Sequence, residues 1–559
     1  MERLSFMFHR FIPLLLLLTS IACSVQSSNE IINRDEDFYL EKVKIGDKIG
    51  LTFNNLSTLD GIKLTFSLPV NSKSIRENIL LSDDSGNMIQ INFECDGDNE
   101  VFISFVNQIR SYTSYSLVIN NGLQSLTGKN ISIGKVIYIS TGNLATSNLP
   151  QLSDAELLNK VQQYTFRYFW QGADPNSGMA KERNSVPNIV TTGGTGFGIM
   201  AMCVAVERKF VTRVDACKRI NKIVSFLKNK ATSYHGAFSH WIYGDTGQTK
   251  PFSPDDDGAD LVETAFLFQG LLTARTFFDG SSPDELLLRE TITSLWEAVD
   301  WNFFTKEGTE QVLYWHWSPE KQWKMNMPIR GWNEALIVYV LAASSPTHPI
   351  SNEVYENGWC RNGEMKNGES YYGITLPLGP RLGGPLFFEH YSFMGLDHRM
   401  ISDKYVNYWE QACAHARINY EYCLVNPKGY IGYGPSCWGL TASDTKNGYT
   451  ASSPTNDVGT IAPTAALSSF PYTPKESMAA LRFFYHQLGD RLWGEFGFID
   501  AFNLSAKWFD SSEHLAIDQG PIVVMIENYR TGLLWNLFMQ NKEIVNGLNR
   551  LGFQIKTIK

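Results

Sequence analysis

Residues 254–266 read PDDDGADLVETAF, a cluster of acids that runs directly into an apolar segment. The apolar positions after it keep helical spacing to about residue 279, so the stretch predicts a carboxylate loop at the start of a buried helix. On such a helix Asp257 and Asp260 would share one face, at positions i and i+3. Acids at a helix N-terminus also complement the dipole and cap free amides, so a capping role competes with a functional one.

An acid before an apolar helix recurs at two other places. Glu334 follows Trp332 at the start of one helical pattern, and Asp518 lies just before the apolar run 522–526. A glutamate packed beside an indole would have its pKa raised by desolvation, as a general acid requires. Capping is the alternative role for both acids.

Helical periodicity dominates the chain after about residue 153. The patterns lie near residues 153–170, 194–209, 212–230, 258–279, 283–304, 332–343, 401–422, 474–490 and 519–541. A chain of mainly antiparallel helices joined by long Gly-, Pro- and Trp-rich loops favours an (α/α)6 toroid, whose inner helices leave a funnel ringed by loops. A helical solenoid is the alternative, and no sequence repeat of fixed period supports it.

Residues 31–145 show a different period. Five short runs alternate apolar and polar residues, at 49–53, 62–66, 89–93, 101–105 and 115–119, and polar turns separate them. This pattern predicts a β-sandwich, and the stretch resembles bacterial Ig-like modules. We expect a spacer rather than a carbohydrate-binding module, and residues 141–151 read as a linker.

The first 22 residues have the features of an export signal. Arg3 and Arg10 precede an apolar run that is too short to span a membrane. The run ends at Ala22-Cys23, which resembles a bacterial lipoprotein cleavage box, although Ser20 stands where leucine is usual. We therefore expect a lipid on Cys23 and an anchored protein at the outer membrane or the periplasmic face. Ordinary cleavage nearby is the alternative.

Composition restricts the class of protein and of ligand. The 559 residues are 43% hydrophobic, which excludes a disordered chain, and the net charge of −9 argues against a nucleic-acid partner. Fourteen tryptophans suit a cleft that stacks sugars. The cysteines form no C-x-x-C pair and show no metal-ligand spacing with histidine, so a zinc site is not expected. No motif requires another metal or a cofactor, and no EF-hand-like spacing is present. The sequence leaves the oligomeric state open.

Loops that combine glycine, aromatic residues and acids supply the candidate binding residues. A glycine-rich run at 192–198 lacks lysine and is more typical of the start of a helix than of a phosphate loop. The candidates for contact with substrate are Trp332, Glu389, His390, Tyr391, Tyr433, Trp438, Asp444, Asp457 and Asp500. Four other tryptophans, Trp241, Trp315, Trp317 and Trp323, lie in loops between helices, whereas Trp296, Trp409 and Trp535 lie in helical patterns and are expected in the core.

Several separate motifs together resemble one family. They are DGAD at 257–260, GWNE at 331–334, WGLTASD at 438–444, DVGTIAP at 457–463, IDQGP at 517–521 and ENYR at 527–530. These motifs, within residues 153–545, are similar to the glucoamylase-like proteins of glycoside hydrolase family 144. One departure is Glu389-His390, where the family would have His-Gln before Tyr-Ser, and it leaves the role of both residues open.

The resemblance implies an (α/α)6 fold and inverting hydrolysis of β-1,2-glucan to sophoro-oligosaccharides. By position, Glu334 resembles the general acid, Asp257 and Asp260 resemble essential carboxylates, and Asp518 is the candidate base. Three alternatives stay open: exo action that releases sophorose, another glucan linkage, and a glycan-binding lipoprotein without activity. Endo or exo action would depend on whether loops such as 344–388 block one end of the cleft.

Overall fold

The computed structural model describes residues 37–95, 98–144 and 149–556. The predicted signal at 1–22 and Cys23 lie outside these residues. The described chain divides into two compact units, a small β unit and a large helical unit. None of the described helices is long and apolar enough to cross a membrane.

The N-terminal β region contains two sheets, and the first of them is antiparallel throughout. Their strands are β1 (Leu40–Ile45), β2 (Lys48–Ile49), β3 (Thr52–Leu56), β4 (Ile62–Phe66), β5 (Ile79–Asp83), β6 (Ile91–Glu94), β7 (Glu100–Phe105), β8 (Ser114–Ile119) and β9 (Lys135–Thr141), with helix α1 (Ser72–Asn78) between β4 and β5. One sheet has the order β2-β1-β4-β7-β6 and the other β3-β9-β8-β5. Alternate residues of β4 are buried, as expected for a strand with one face on a core. The sequence missed β1, β5 and β9, and its strand at 49–53 is two strands in the structure.

The large unit is built from helices and short two-stranded ribbons. The helices are α2 (Asp154–Trp170), α3 (Thr192–Glu207), α4 (Arg213–Asn229), α5 (Leu261–Phe277), α6 (Pro283–Glu297), α7 (Leu336–Ser344), α8 (Asn352–Val354), α9 (Tyr408–Val425), α10 (Pro463–Leu467), α11 (Pro474–His486), α12 (Gly489–Leu492), α13 (Ala516–Thr531), α14 (Leu533–Met539) and α15 (Lys542–Arg550). Ribbon strands that bear on the site are Ile189–Thr191, Trp241–Tyr243, Ala259–Asp260, His316–Trp317, Ala442–Thr445, Gly448–Ala451, Gly497–Phe498 and Trp508–Phe509.

Buried and amphipathic helices alternate along the chain. Helices α3, α5, α7 and α13 are buried over most of their length, whereas α2, α4, α6, α11 and α15 expose one face. A helix that is apolar all round lies inside a protein, and an amphipathic one covers it. The core therefore lies around the buried helices, and Trp296 and Trp535 lie in it as expected.

The glycine-rich run at 192–198 forms the first turns of α3, as the sequence predicted. Helices α3 and α5 pack closely, because a Cβ atom on Gly270 would lie 2.1 Å from the carbonyl oxygen of Gly196. Only glycine permits this approach. The run therefore serves helix packing.

Several predicted helix boundaries were wrong. Helix α6 ends at Glu297 rather than near 304, and α7 begins at Leu336 rather than near 332. Helix α5 begins at Leu261 rather than near 258, because Asp260 is its N-cap. Helix α9 begins at Tyr408 after the cap Asn407. The predicted helix 519–541 is α13 and α14, which are separated at Gly532 with φ of 71°. A left-handed residue ends an α-helix, and glycine adopts that conformation without strain.

Candidate active site

A cavity of about 550 Å³ lies where several buried helices begin. Residues at or just before the first turns of α3, α5, α7 and α13 line it. Helix N-termini offer free N–H groups and a positive partial charge, so this convergence suits carboxylates and polar ligands. The charged lining residues are Glu182, Arg183, His240, Glu263 and Glu334, and the aromatic ones are Trp241, Phe252, Phe266, Trp315, Phe387, Tyr391 and Tyr449.

Glu334 lies in this lining, two residues before α7. Burial raises the pKa of its carboxyl to about 7, its own backbone N–H opposes the shift, and the charges of Asp260 and Glu263 add to it. Ser392 fixes the backbone here, because its hydroxyl donates to the carbonyl of Glu334 and accepts from the N–H of Ile337 at 3.0 Å. Glu334 can therefore hold a proton near neutral pH at a fixed position.

Asp260 fixes the position of His240, one of the charged residues that line the cavity. Its Oδ1 accepts hydrogen bonds from the N–H groups of Val262 and Glu263, and its Oδ2 lies 2.9 Å from Nδ1 of His240. Burial alone would lower the pKa of His240, but the carboxylates of Glu263, Asp260 and Asp256 raise it to about 9. His240 is therefore an imidazolium at neutral pH, and Asp260 acts through it from behind the cavity wall.

Glu263 is a carboxyl residue of the cavity wall that the sequence analysis did not single out. Its Oε2 accepts from the N–H of Gly193 at 2.7 Å and from the hydroxyl of Thr191 at 3.2 Å. A Cβ atom on Gly193 would lie 2.7 Å from the same oxygen, so the close approach requires glycine. Burial raises the pKa of Glu263, and the charge of His240 opposes the shift.

Asp257 does not join this group, and the prediction that it shares a helix face with Asp260 was wrong. Helix α5 begins only after Asp260, and strand Ala259–Asp260 pairs with His316–Trp317. Asp257 Oδ2 forms an ion pair with Lys321 Nζ at 2.9 Å, outside the residues that line the cavity. Burial opposes ionisation of Asp257, but Ser318 and Lys321 lower its pKa below the ordinary value.

Asp518 is buried in the first turn of α13, behind the lining residues Leu515 and Ile517. Burial raises its pKa to about 8, and burial together with the charge of Asp518 raises the pKa of Asp500 well above the ordinary value. A carboxyl that is protonated at pH 7 cannot accept a proton, so this arrangement does not favour Asp518 as a base. Its catalytic role stays a prediction.

Four of the nine predicted substrate-binding residues are buried away from the cavity. Trp332 packs among Trp359, Phe393 and Tyr408, and Trp438 is fully buried, so neither offers a face to a ligand. The structure corrects both assignments, because an indole beside a glycine fits the core as well as a cleft.

Glu389 and His390 are also buried away from the cavity. Oε1 of Glu389 accepts hydrogen bonds from Trp332 Nε1 and Gln411 Nε2 at 2.8–2.9 Å, and it lies 2.9 Å from His415 Nδ1. His390 Nε2 lies 3.0 Å from the hydroxyl of Ser469, and burial lowers the pKa of His390 to about 3. These contacts correct the assignment of both residues to substrate, and Glu389 instead fixes the loop that carries Trp332.

The remaining candidates divide between the cavity and its surroundings. Tyr391 lines the cavity, and Asp444 binds the lining residue Arg183 at 2.7 Å. Tyr433 donates to Asp457 at 2.9 Å, and neither residue reaches the cavity lining. Asp500 accepts from the N–H of Asp444 at 2.7 Å and is likewise outside the lining.

The sequence analysis did not single out Glu263 or His240, and only Glu263 has a signal in the sequence. Glu263 lies three residues after Asp260 in the stretch 254–266, so its helical spacing could have identified it. No helical spacing or motif identifies His240, which lies just before the strand Trp241–Tyr243. Trp241 and Trp315, which the sequence placed in loops, do line the cavity.

Comparison with known proteins gives the family. Residues 326–542 match the Glycoamylase family model, described as "Putative glucoamylase", and residues 43–139 match a bacterial Ig-like domain. A Bacteroides uniformis protein of known structure, which is also described as a "putative glucoamylase", is 56% identical to this chain. Its TM-score is 0.71, and the match covers 73% of this chain and 99% of that one. The endo-β-1,2-glucanase of Chitinophaga pinensis, solved with sophorotriose and glucose, is 48% identical, with a TM-score of 0.70 over 72% and 99% of the two chains.

A curated relative is the exo-β-1,2-glucooligosaccharide sophorohydrolase (non-reducing end) of Parabacteroides distasonis, 48% identical over 421 residues. The match covers 72% of this chain and 58% of that relative's length. The chain belongs to the glucoamylase-like proteins of glycoside hydrolase family 144 and carries a bacterial Ig-like domain.

Proposed function

We propose that this protein hydrolyses β-1,2-glucan, with Glu334 as the general acid. One observation carries the proposal: the carboxyl of Glu334 faces a cavity of about 550 Å³ and has a pKa of about 7. Such a group delivers a proton to a glycosidic oxygen near neutral pH. The two relatives with named activities both act on β-1,2-linked glucose chains, which supports the linkage.

The reaction inverts the anomeric centre. Glu334 protonates the leaving oxygen, while an ionised carboxylate activates a water on the opposite face of the sugar. Glu263 suits the second role, because the N–H of Gly193 and the imidazolium of His240 stabilise its ionised form. Asp518 is the alternative base. Azide identifies the base. Whichever of Glu263→Gln and Asp518→Asn removes the base should regain turnover in azide and form a glycosyl azide, because azide attacks without a general base. Loss of the acid should not be rescued by azide when the substrate is glucan.

Aromatic side chains hold the glucose units. Trp241 and Trp315 are half-buried in the lining of the cavity, and Tyr391 forms part of its wall. Flat apolar faces suit the C–H face of a sugar, and His240, Arg183 and Glu182 offer hydrogen bonds to hydroxyl groups. A neutral glucan therefore fits both parts of the lining.

The helical unit forms an (α/α)6 toroid. The alternation of buried and amphipathic helices along the chain supports this arrangement, as does the convergence of helix N-termini on one cavity. The expected products are sophoro-oligosaccharides from internal cleavage, and sophorose alone would indicate exo action.

A panel of β-1,2-, β-1,3-, β-1,4- and α-1,4-glucans tests the function. We expect hydrolysis of the β-1,2-glucan, products of several lengths at early times, and α-anomers as the first species seen by NMR. Cleavage of another linkage alone would refute the substrate. Binding of sophoro-oligosaccharide without any product would favour a glycan-binding lipoprotein.

We also propose that the protein is exported and anchored through a lipid on Cys23. The apolar run that ends at Ala22-Cys23 supports this placement. Metabolic labelling with a radioactive fatty acid should mark the wild type and not Cys23→Ser. Equal labelling of both proteins would contradict the proposal.

A further inference from the structure

Three aspartates come together beside the cavity, each from a different two-stranded ribbon. Asp444 lies in strand Ala442–Thr445, Asp500 follows strand Gly497–Phe498, and Asp510 follows strand Trp508–Phe509. One carboxylate oxygen of each lies within 4.8 Å of the others. Three carboxyl groups at this separation can all be ionised only if a positive charge lies between them.

A fourth carboxyl points to the same place. Asp518 is 1% exposed, and neither of its oxygens accepts a hydrogen bond from an N–H or hydroxyl donor among the described residues. Its carboxyl lies within hydrogen-bonding reach of that of Asp500, a contact that requires a proton between the two acids unless a cation replaces it. Asp500 Oδ1 and Asp510 Oδ2 also receive no hydrogen bond within the described chain. Buried acceptors without donors are costly, and a cation would satisfy all of them at once.

Nearby positive charge does not balance these acids. Arg183 is the cation in contact with the group, and it divides its hydrogen bonds between Asp444 and Glu182. Glu182 and Glu513 add further negative charge around the same buried region. The surroundings that the structure describes are therefore short of positive charge.

We propose that Asp444, Asp500 and Asp510 bind one hard divalent cation, Ca²⁺ or Mg²⁺, with Asp518 adjoining the site. Carboxylate oxygens are the ligands that both ions prefer, and loops from three ribbons give the flexible geometry that Ca²⁺ accepts more readily. No sequence motif marks this site, because its ligands lie 56 and 10 residues apart along the chain. The proposal does not depend on the glucanase assignment.

The proposed cation site lies next to residues that line the cavity. Ala442 and Tyr449 of the same hairpin line the cavity, as does Ile517 next to Asp518. A cation at the three aspartates would tie this hairpin to the start of α13, and so stiffen one wall of the cavity.

The test is direct titration of the full chain after treatment with EDTA. Isothermal calorimetry with CaCl₂ and with MgCl₂, at constant ionic strength, should show one saturable site with a Kd on the order of 10⁻⁴–10⁻³ M for the preferred ion. The melting temperature should rise with the same ion. The variants Asp510→Asn and Asp500→Asn should each weaken binding at least about tenfold and lose the metal-dependent rise.

The matched control is Asp255→Asn, an exposed acid paired with Lys324 in another loop. It should bind the cation as the wild type does. No saturable binding of either ion by the wild type would overturn the proposal, and so would unchanged affinity in both folded cluster variants. Equal loss in the control would also overturn it, since binding would then reflect general surface charge.

Discussion

Replacing Glu334 by glutamine is the sharpest test of the active site. Glutamine has nearly the same shape but cannot deliver an acidic proton. General acid catalysis contributes roughly 10²–10⁴-fold, so we expect Glu334→Gln to lower kcat on β-1,2-glucan by that factor. The wild-type carboxyl, with a pKa of about 7, is protonated in about half of the molecules at pH 7. At the ordinary pKa of 4.5 that fraction would be about 0.3%, about 150-fold less.

The same shift predicts the pH dependence. Because the acid must be protonated, kcat/KM of the wild type should fall about tenfold per pH unit above pH 7. Stability follows the same sign: the folded state holds this proton more tightly than the unfolded state, so stability falls as the pH rises from 4.5 to about 7. Glu334→Gln removes that loss and should raise the free energy of unfolding at pH 8 by about 1–3 kcal/mol.

The assays are reducing-sugar release between pH 5 and pH 9 and urea unfolding at pH 8. Glu297→Gln is the matched control, because Glu297 is exposed at the end of α6. It should keep both wild-type activity and wild-type stability. More than about a tenth of wild-type activity in Glu334→Gln, with the same alkaline limb, would refute the assignment of the acid.

Five further substitutions, at four residues, separate catalytic from structural roles. Asp260→Asn keeps the helix cap but should lower the pKa of His240 from about 9 towards 6.5, which NMR titration detects, whereas Asp260→Ala should also cost about 1 kcal/mol of stability. Trp315→Ala should raise KM with little change in melting temperature, while Trp438→Ala should cost about 3–5 kcal/mol of stability, and the reverse pattern would restore Trp438 as a sugar-binding residue. Glu389→Ala should cost about 1–3 kcal/mol in urea unfolding for each buried donor left without its acceptor, namely Trp332 Nε1 and Gln411 Nε2.

Local patterns predicted the elements well and their ends less well. The periods of two and 3.6 separated the β unit from the helical unit, because each period reflects which face of an element is buried. The start of α5 was misplaced, since Asp260 fits the first turn of a helix and its cap equally well in sequence. Strands β1, β5 and β9 were missed because apolar and polar residues alternate less regularly in their sequences than in β4, although β5 has the same alternating burial.

The sequence by itself determined the family and the helical class of the large unit, and it singled out Glu334 as the candidate acid, because these inferences depend on motifs and periodicity along the chain. Tertiary structure alone decided which residues share the cavity. It placed His240 and Glu263 together, moved Trp332 and Trp438 into the core, and paired Asp257 with Lys321. The physical reason is that burial and charge depend on neighbours far away in sequence, and a pKa or a stacking face exists only once those neighbours are in place.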